Sequence, residues 1–104
     1  MSNLNFNEIG SIIRVNLGYD ITASTPELIL QPELGETKEI TTGVTIPGVT
    51  VVTDIETFTA GEYIEYLTID GDLDYTGRWR KKAKLTFSSN DIQQNDFEKF
   101  RVLP

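Results

Sequence analysis

Residues 78–87 read Arg-Trp-Arg-Lys-Lys-Ala-Lys-Leu-Thr-Phe and alternate between apolar and charged side chains. Successive residues of a strand point to opposite faces, so this period of two predicts a half-buried β-strand. The apolar residues of the predicted strand share one face: Trp79, Ala83, Leu85 and Phe87. Lys81 falls on that same face, which predicts that the strand leaves the core or bulges there. The opposite face carries four cations: Arg78, Arg80, Lys82 and Lys84.

Short segments rich in β-branched and aromatic residues recur along the rest of the chain, and turn residues separate them. We predict strands at residues 11–17, 27–31, 37–46, 49–54, 62–69, 78–87 and 97–103, with loops at 55–61 and 88–96. No segment keeps the 3.6-residue period of a helix. About seven short strands without intervening helices predict an all-β fold, either a sandwich or a barrel.

The composition limits the chemistry that the chain can perform. Its 104 residues suit one domain, and they include no cysteine and no histidine. Without cysteine, disulfides and thiolate chemistry are excluded. Without histidine, the chain lacks the usual general base near neutral pH, which is also the commonest transition-metal ligand. We expect no enzyme activity, no catalytic residues and no cofactor.

An acidic turn, Asp70-Gly71-Asp72-Leu73-Asp74, has the alternating carboxylates that calcium prefers. An EF-hand loop would carry Gly at its sixth position and Glu at its twelfth, where this chain has Tyr75 and Lys81. Aspartates also cap and solvate turns. We therefore predict no metal site, and weak calcium binding by this turn stays an open alternative.

The charges are distributed unevenly along the chain. Nine basic residues stand against 16 acidic ones, a formal net charge of −7, which repels nucleic acid and anionic lipid. Five of the cations nevertheless lie within residues 78–84. Three interpretations are open: cross-strand pairing with Glu62 and Glu65, docking on an acidic protein partner, or a nucleic-acid groove with Tyr63 and Tyr66 as stacking platforms. The net charge opposes the last, so we expect neither nucleic acid nor a membrane as partner.

Two further predictions concern Trp79 and the N-terminus. Trp79 is the only tryptophan, and its place on the apolar face predicts a core anchor. Residues 1–8 are predicted to form an N-terminal arm that reaches a neighbour through Leu4 and Phe6, with residues 9–104 as the single domain. Residues 1–8 do not show the basic segment followed by an apolar segment that is typical of a signal peptide.

Three stretches in order carry a family resemblance. Residues 10–22 read Gly-Ser-Ile-Ile-Arg-Val-Asn-Leu-Gly-Tyr-Asp-Ile-Thr, and Leu28-Ile29-Leu30-Gln31-Pro32 is followed by Gly35. Residues 66–79 read Tyr-Leu-Thr-Ile-Asp-Gly-Asp-Leu-Asp-Tyr-Thr-Gly-Arg-Trp. Together they resemble a family of phage virion proteins with immunoglobulin-like folds, related to upper baseplate and head decoration modules. The turn Pro32-Glu33-Leu34-Gly35-Glu36 is one residue longer than the family's Pro-Asp-Gly-Thr turn.

The resemblance implies an immunoglobulin-like antiparallel β-sandwich of about seven strands. It also implies a non-enzymatic bacteriophage structural protein, located in the virion after assembly in the host cytoplasm. We favour a capsid decoration or head-fibre module over a tail, neck or baseplate component. Its expected partners are other virion proteins and further copies of itself, docked through Arg78, Arg80, Lys82 and Lys84.

Two other functions stay open. A carbohydrate- or receptor-binding adhesion module would use exposed aromatic side chains, and the chain offers five candidates: Tyr19, Phe58, Tyr63, Tyr66 and Tyr75. A small regulator that binds a host enzyme is the other.

Overall fold

Ten strands occupy residues 3–88 and 91–104, the part of the chain that the structure, a computed structural model, describes. In chain order they are β1 (Asn3–Asn5), β2 (Ile12–Asn16), β3 (Thr25–Pro32), β4 (Lys38–Ile40), β5 (Val51–Val52), β6 (Thr57–Phe58), β7 (Tyr63–Leu67), β8 (Gly77–Ser88), β9 (Asp91–Gln94) and β10 (Glu98–Leu103). The described residues include no helix with the length and apolar character that crossing a bilayer requires.

The strands form a sandwich of two main sheets. Sheet A has the order β1-β10-β8-β3-β4, with β9 also paired to β8, and sheet B is the pair β2-β7. In immunoglobulin domains the second and fifth strands share one sheet, and the third, sixth and seventh share the other. The pairs β2-β7 and β3-β8-β10 follow this order. The predicted all-β antiparallel sandwich is therefore confirmed, with β1 parallel to β10 as the exception to antiparallel pairing.

The strand count differs from the prediction because short strands lie in segments predicted as loops. Thr57–Phe58 pairs with Val51–Val52 in a small separate hairpin. Asp91–Gln94 pairs with the end of β8, although residues 89 and 90 of that predicted loop lie outside the described residues. The polar composition of these segments does not prevent strand pairing, because any extended backbone beside a strand can form hydrogen bonds with that strand's N–H and C=O groups.

The predicted strand at residues 37–46 is shorter than expected. Only Lys38–Ile40 pairs with β3, and Gly43 then adopts a φ of 84°, which the extended conformation does not allow. Beyond it, Thr45 exchanges two backbone hydrogen bonds of 2.9 Å with Glu65. The chain therefore crosses from the edge of sheet A to the edge of sheet B.

The hydrophobic core lies between the two sheets. Trp79 is 1% exposed, its ring lies 5.9 Å from that of Phe100, and its Nε1–H donates to the carbonyl oxygen of Tyr75 at 3.0 Å. The other fully enclosed side chains come from both sheets and include Val15, Leu28, Leu30, Ile64 and Leu85. The predicted core anchor is thus packed on aromatic and aliphatic neighbours, with its polar atom satisfied.

Lys81 shares the inner face of β8 without a bulge. The pairing of β8 with β3 is continuous from Thr86 to Trp79, so the predicted bulge or exit from the core is wrong. The side chain is 13% exposed, and its Nζ lies 3.9 Å from a carboxylate oxygen of Glu98. Burial lowers the pKa of Lys81, although the carboxylates of Glu98 and Glu56 act against that shift.

The segment predicted as an N-terminal arm contains β1. Asn3–Asn5 runs parallel to β10, and Leu4 packs against the core of its own chain. Phe6 is exposed, although its N–H still donates to the Leu103 carbonyl at 2.7 Å. Met1 and Ser2 lie outside the described residues. Residues 3–5 therefore pair with the edge of β10 in their own chain, whereas the sequence predicts that this segment reaches a neighbouring molecule.

Candidate functional site

The outer face of sheet A, directed away from the core, concentrates positive charge. Six of the nine cations of the chain share it by strand register: Arg78, Arg80, Lys82, Lys84, Lys99 and Arg101. We call this surface the cationic face. On the strands β3, β4, β8 and β10, two carboxylates share it, Glu27 opposite Lys84 and Glu39 opposite Ile29. A chain with an overall excess of acid therefore presents one sheet face with an excess of four positive charges.

Four of these cations lie directly opposite one another on neighbouring strands. Arg101 is opposite Arg78, and Lys99 is opposite Arg80. Side chains opposite each other in antiparallel strands have Cβ atoms about 4.5–5.5 Å apart, and like charges at that distance repel. The fold therefore maintains two adjacent like-charge pairs on its surface.

None of the six cations forms an ion pair with a carboxylate within the described residues. The ion pairs found there use the three remaining cations, in the pairs Arg14–Glu65, Lys38–Asp74 and Lys81–Glu98. The predicted cross-strand pairing with Glu62 and Glu65 does not occur, because β7 pairs with β2 in the other sheet. Glu65 instead accepts a hydrogen bond of 2.9 Å from Arg14.

Two cations of the face are held by an aromatic ring. The guanidinium of Arg80 lies 4.6 Å from the Phe97 ring centroid, and the ammonium of Lys82 lies 4.4 Å from it. Arg80 also donates a hydrogen bond to the side-chain oxygen of Gln31. These contacts orient the cations without neutralising them, because the ring and the amide carry no net charge.

A groove of about 660 Å³ opens on this side of the protein. The four opposed cations, Arg78, Arg80, Lys99 and Arg101, contribute to its lining. Its other lining residues are Gln31, Pro32, Glu33, Gly35, Trp79 and Phe100. Glu33 is the carboxylate among them. The groove therefore combines concave shape with a strong local excess of positive charge.

Sequence reasoning identified four of the six cations and missed Lys99 and Arg101. A signal was present, because Lys99 and Arg101 alternate with the core residues Phe100 and Val102 in the last strand. Alternation predicts that both cations face outward. It cannot predict that β10 lies beside β8, where the six charges meet.

The aromatic residues predicted as binding platforms are mostly enclosed. Tyr63, Tyr66 and Phe58 are buried, and the Tyr63 and Phe58 rings lie 5.4 Å apart. Tyr19 and Tyr75 are the two that remain exposed. Tyr63 and Tyr66 therefore cannot stack bases, and a glycan-binding surface would have two of its five predicted aromatics.

The acidic turn at residues 70–74 is engaged in internal contacts. Asp72 accepts hydrogen bonds from the Tyr66 hydroxyl at 2.5 Å and the Ile69 N–H at 2.8 Å. Asp74 lies 3.2 Å from the Lys38 ammonium. No group of three or more metal-ligating side chains occurs among the residues that the structure describes. Two of the three carboxylates of the turn therefore have structural partners.

The sequence matches no protein-family model, and no curated protein matches it significantly.

Proposed function

We propose that this chain is a non-enzymatic structural protein of a bacteriophage virion, where it decorates the capsid. In this proposal the cationic face docks on an acidic surface of another virion protein. The protein then contributes by holding a position on the particle rather than by catalysing a reaction.

The observation that carries the docking proposal is the unpaired charge of the cationic face. Like charges on adjacent strands weaken a sheet unless opposite charge is brought to them. An acidic partner surface supplies that charge, and complementary potentials also orient the two proteins as they associate. The rest of the chain carries three cations against fourteen carboxylates and therefore repels an acidic partner, whereas the cationic face attracts one.

The virion assignment is supported by the three stretches that resemble phage immunoglobulin-like proteins. They fall on β2 and its following turn, on β3, and on the end of β7 with its connection to β8. These segments include strands of both sheets. The resemblance thus lies in the strands that build the domain and supports the virion assignment. The cationic face supports the separate proposal of an acidic partner.

Quantitative mass spectrometry of purified particles of the encoding phage tests the virion assignment. Hundreds of copies per particle are expected for a capsid decoration. A handful of copies would move the protein to the tail, neck or baseplate. Absence from purified particles would overturn the assignment.

A charge-reversed variant tests the docking face. Arg80→Glu combined with Lys82→Glu should abolish incorporation into particles while circular dichroism shows an intact sandwich. The matched control is Arg80→Lys with Lys82→Arg, which changes the same two positions, keeps both positive charges and should leave incorporation intact. Unchanged incorporation of the first variant would refute docking through the cationic face.

A further inference from the structure

The four opposed cations, Arg78, Arg80, Lys99 and Arg101, form a compact group at the groove. We call them the cation quartet. Arg78 and Arg101 make one pair across β8 and β10, and Arg80 and Lys99 make the next. Residues two apart along a strand are separated by about 6.6–6.8 Å. The Cβ atoms of the quartet therefore form a near-rectangular array with edges of about 5 and 7 Å, from which four cationic side chains extend.

We propose that the cation quartet binds a multiply charged oxyanion, a molecule that carries two or more phosphate or sulfate groups. The ligand would lie in the groove with one anionic group at each opposed pair. This inference goes beyond the proposed docking, since it concerns the isolated chain and a small ligand.

The chemistry of the side chains favours phosphate or sulfate oxygens. Three of the four cations are arginines, whose planar guanidinium presents several N–H donors in a fork that matches such groups with two parallel hydrogen bonds. Arg80 is already oriented by Gln31 and Phe97, so binding costs less of its side-chain entropy. Lys99 adds a fourth charge without a fixed geometry.

The size of the groove suits a small ligand. Sites for small molecules commonly measure about 300–1,000 Å³, and this groove measures about 660 Å³. Glu33 lies in its lining, so the ligand must present its charges toward the quartet and away from that carboxylate.

Single-stranded nucleic acid fits this surface less well than a small oxyanion. Proteins that bind it combine cations with aromatic rings on which bases stack. The ring of Phe97 is already covered by Arg80 and Lys82, and Tyr63 and Tyr66 are buried. The cationic surface therefore offers charge without a free stacking platform.

Titration with inorganic tripolyphosphate tests the proposal. Its binding to the intact chain is followed by amide chemical shifts in nuclear magnetic resonance at low ionic strength. Shifts should concentrate on residues 78–80 and 99–101. Arg78→Gln with Arg101→Gln should weaken binding at least about tenfold, because each lost charge-assisted hydrogen bond contributes more than a neutral one.

The matched control separates a defined site from diffuse attraction. Lys82→Gln with Lys84→Gln removes the same net charge from the same face but leaves the quartet intact, and it should change the affinity less than about threefold. Equal weakening by both double variants would overturn the proposal, as would shifts spread over the whole face or no binding to the wild-type chain.

The source of the phosphate groups is tested separately with vesicles. Co-sedimentation with vesicles of cardiolipin, which carries two phosphates, and phosphatidylcholine, competed by tripolyphosphate, would assign the site to lipid headgroups. Tripolyphosphate binding without vesicle binding would assign it to a soluble ligand. Either result supports an oxyanion site, and neither depends on whether the chain is incorporated into particles.

Discussion

Arg80 and Lys99 lie directly opposite each other on the neighbouring antiparallel strands β8 and β10. Two residues along each strand, Arg78 and Arg101 repeat the arrangement. A sheet that has only to be stable would place a carboxylate in one position of each pair. These pairs therefore lower the stability of the isolated sheet, and that cost can be measured on the domain alone.

Lys99→Glu should stabilise the isolated domain. The change replaces a like-charge pair with an opposite-charge pair opposite Arg80, which is worth about 0.2–1 kcal/mol in free energy of unfolding. Urea unfolding followed by the fluorescence of Trp79 measures it. The gain should shrink as salt is added, because exposed charges are screened.

Lys84→Glu is the matched control on the same face. Lys84 lies opposite Glu27, so the same substitution creates a like-charge pair and should lower the free energy of unfolding by a similar amount. If both variants shift stability in the same direction, the substitutions act through overall net charge and the register-specific explanation fails.

Trp79→Ala should destabilise the domain by about 3–5 kcal/mol, because it removes a large enclosed ring and leaves a cavity beside Phe100. Chemical unfolding followed by circular dichroism measures the cost. Trp79→Phe retains part of the packing and loses the hydrogen bond to the Tyr75 carbonyl, so its cost should be clearly smaller. A cost below about 1 kcal/mol for Trp79→Ala would contradict the enclosed position.

Tyr66→Phe should lower the free energy of unfolding by about 1–1.5 kcal/mol at neutral pH. It removes the hydrogen bond to Asp72, and the estimate is at the low end for a charged acceptor because this contact is only partly buried. Burial, followed by the hydrogen bond and the charge of Asp72, raises the pKa of Tyr66 above its usual 10.0.

The raised pKa of Tyr66 determines how the stability difference between the wild type and Tyr66→Phe depends on pH. A group whose pKa is higher in the folded state stabilises the fold fully below its unfolded pKa and loses that contribution at higher pH. The stability difference between the wild type and Tyr66→Phe should therefore be constant from neutral pH until the pH approaches 10, and narrow above it. A difference that does not change between pH 8 and pH 11 would show that the hydroxyl titrates alike in both states.

Gly35→Ala should be destabilising. A Cβ there would lie 2.6 Å from Tyr75 Cε2 and 2.8 Å from Pro32 Cγ, closer than packed carbon atoms allow. Crowding of this kind costs about 1–3 kcal/mol, which thermal unfolding can measure. The contacts with Tyr75 and Pro32 thus give the turn at residues 32–36 a physical reason for a glycine.

Gly48→Ala provides the comparison. Nothing lies within 4 Å of a Cβ at that position, and its φ is not positive. Alanine should therefore stabilise the chain by about 0.4–1 kcal/mol, since it reduces the freedom of the unfolded backbone. Equal losses at both glycines would indicate that backbone conformation, rather than contact with Tyr75 and Pro32, determines the cost.

Local pattern was sufficient for much of the fold. Alternation in residues 78–87 predicted β8, the enclosed side of Trp79 and the outward side of four cations, because side-chain direction in a strand depends only on parity. It did not predict how Lys81 is accommodated. That depends on Glu98, which lies on another strand.

What the sequence alone determined is the all-β character of the chain, the inner and outer faces of its strands and the lack of histidine and cysteine chemistry. The tertiary structure decided which strands are neighbours. It placed β10 rather than β7 beside β8, which brought Lys99 and Arg101 to the other cations and left Glu65 with Arg14 in the opposite sheet. Strand neighbours are chosen by the burial of the whole core, so no local pattern carries that information.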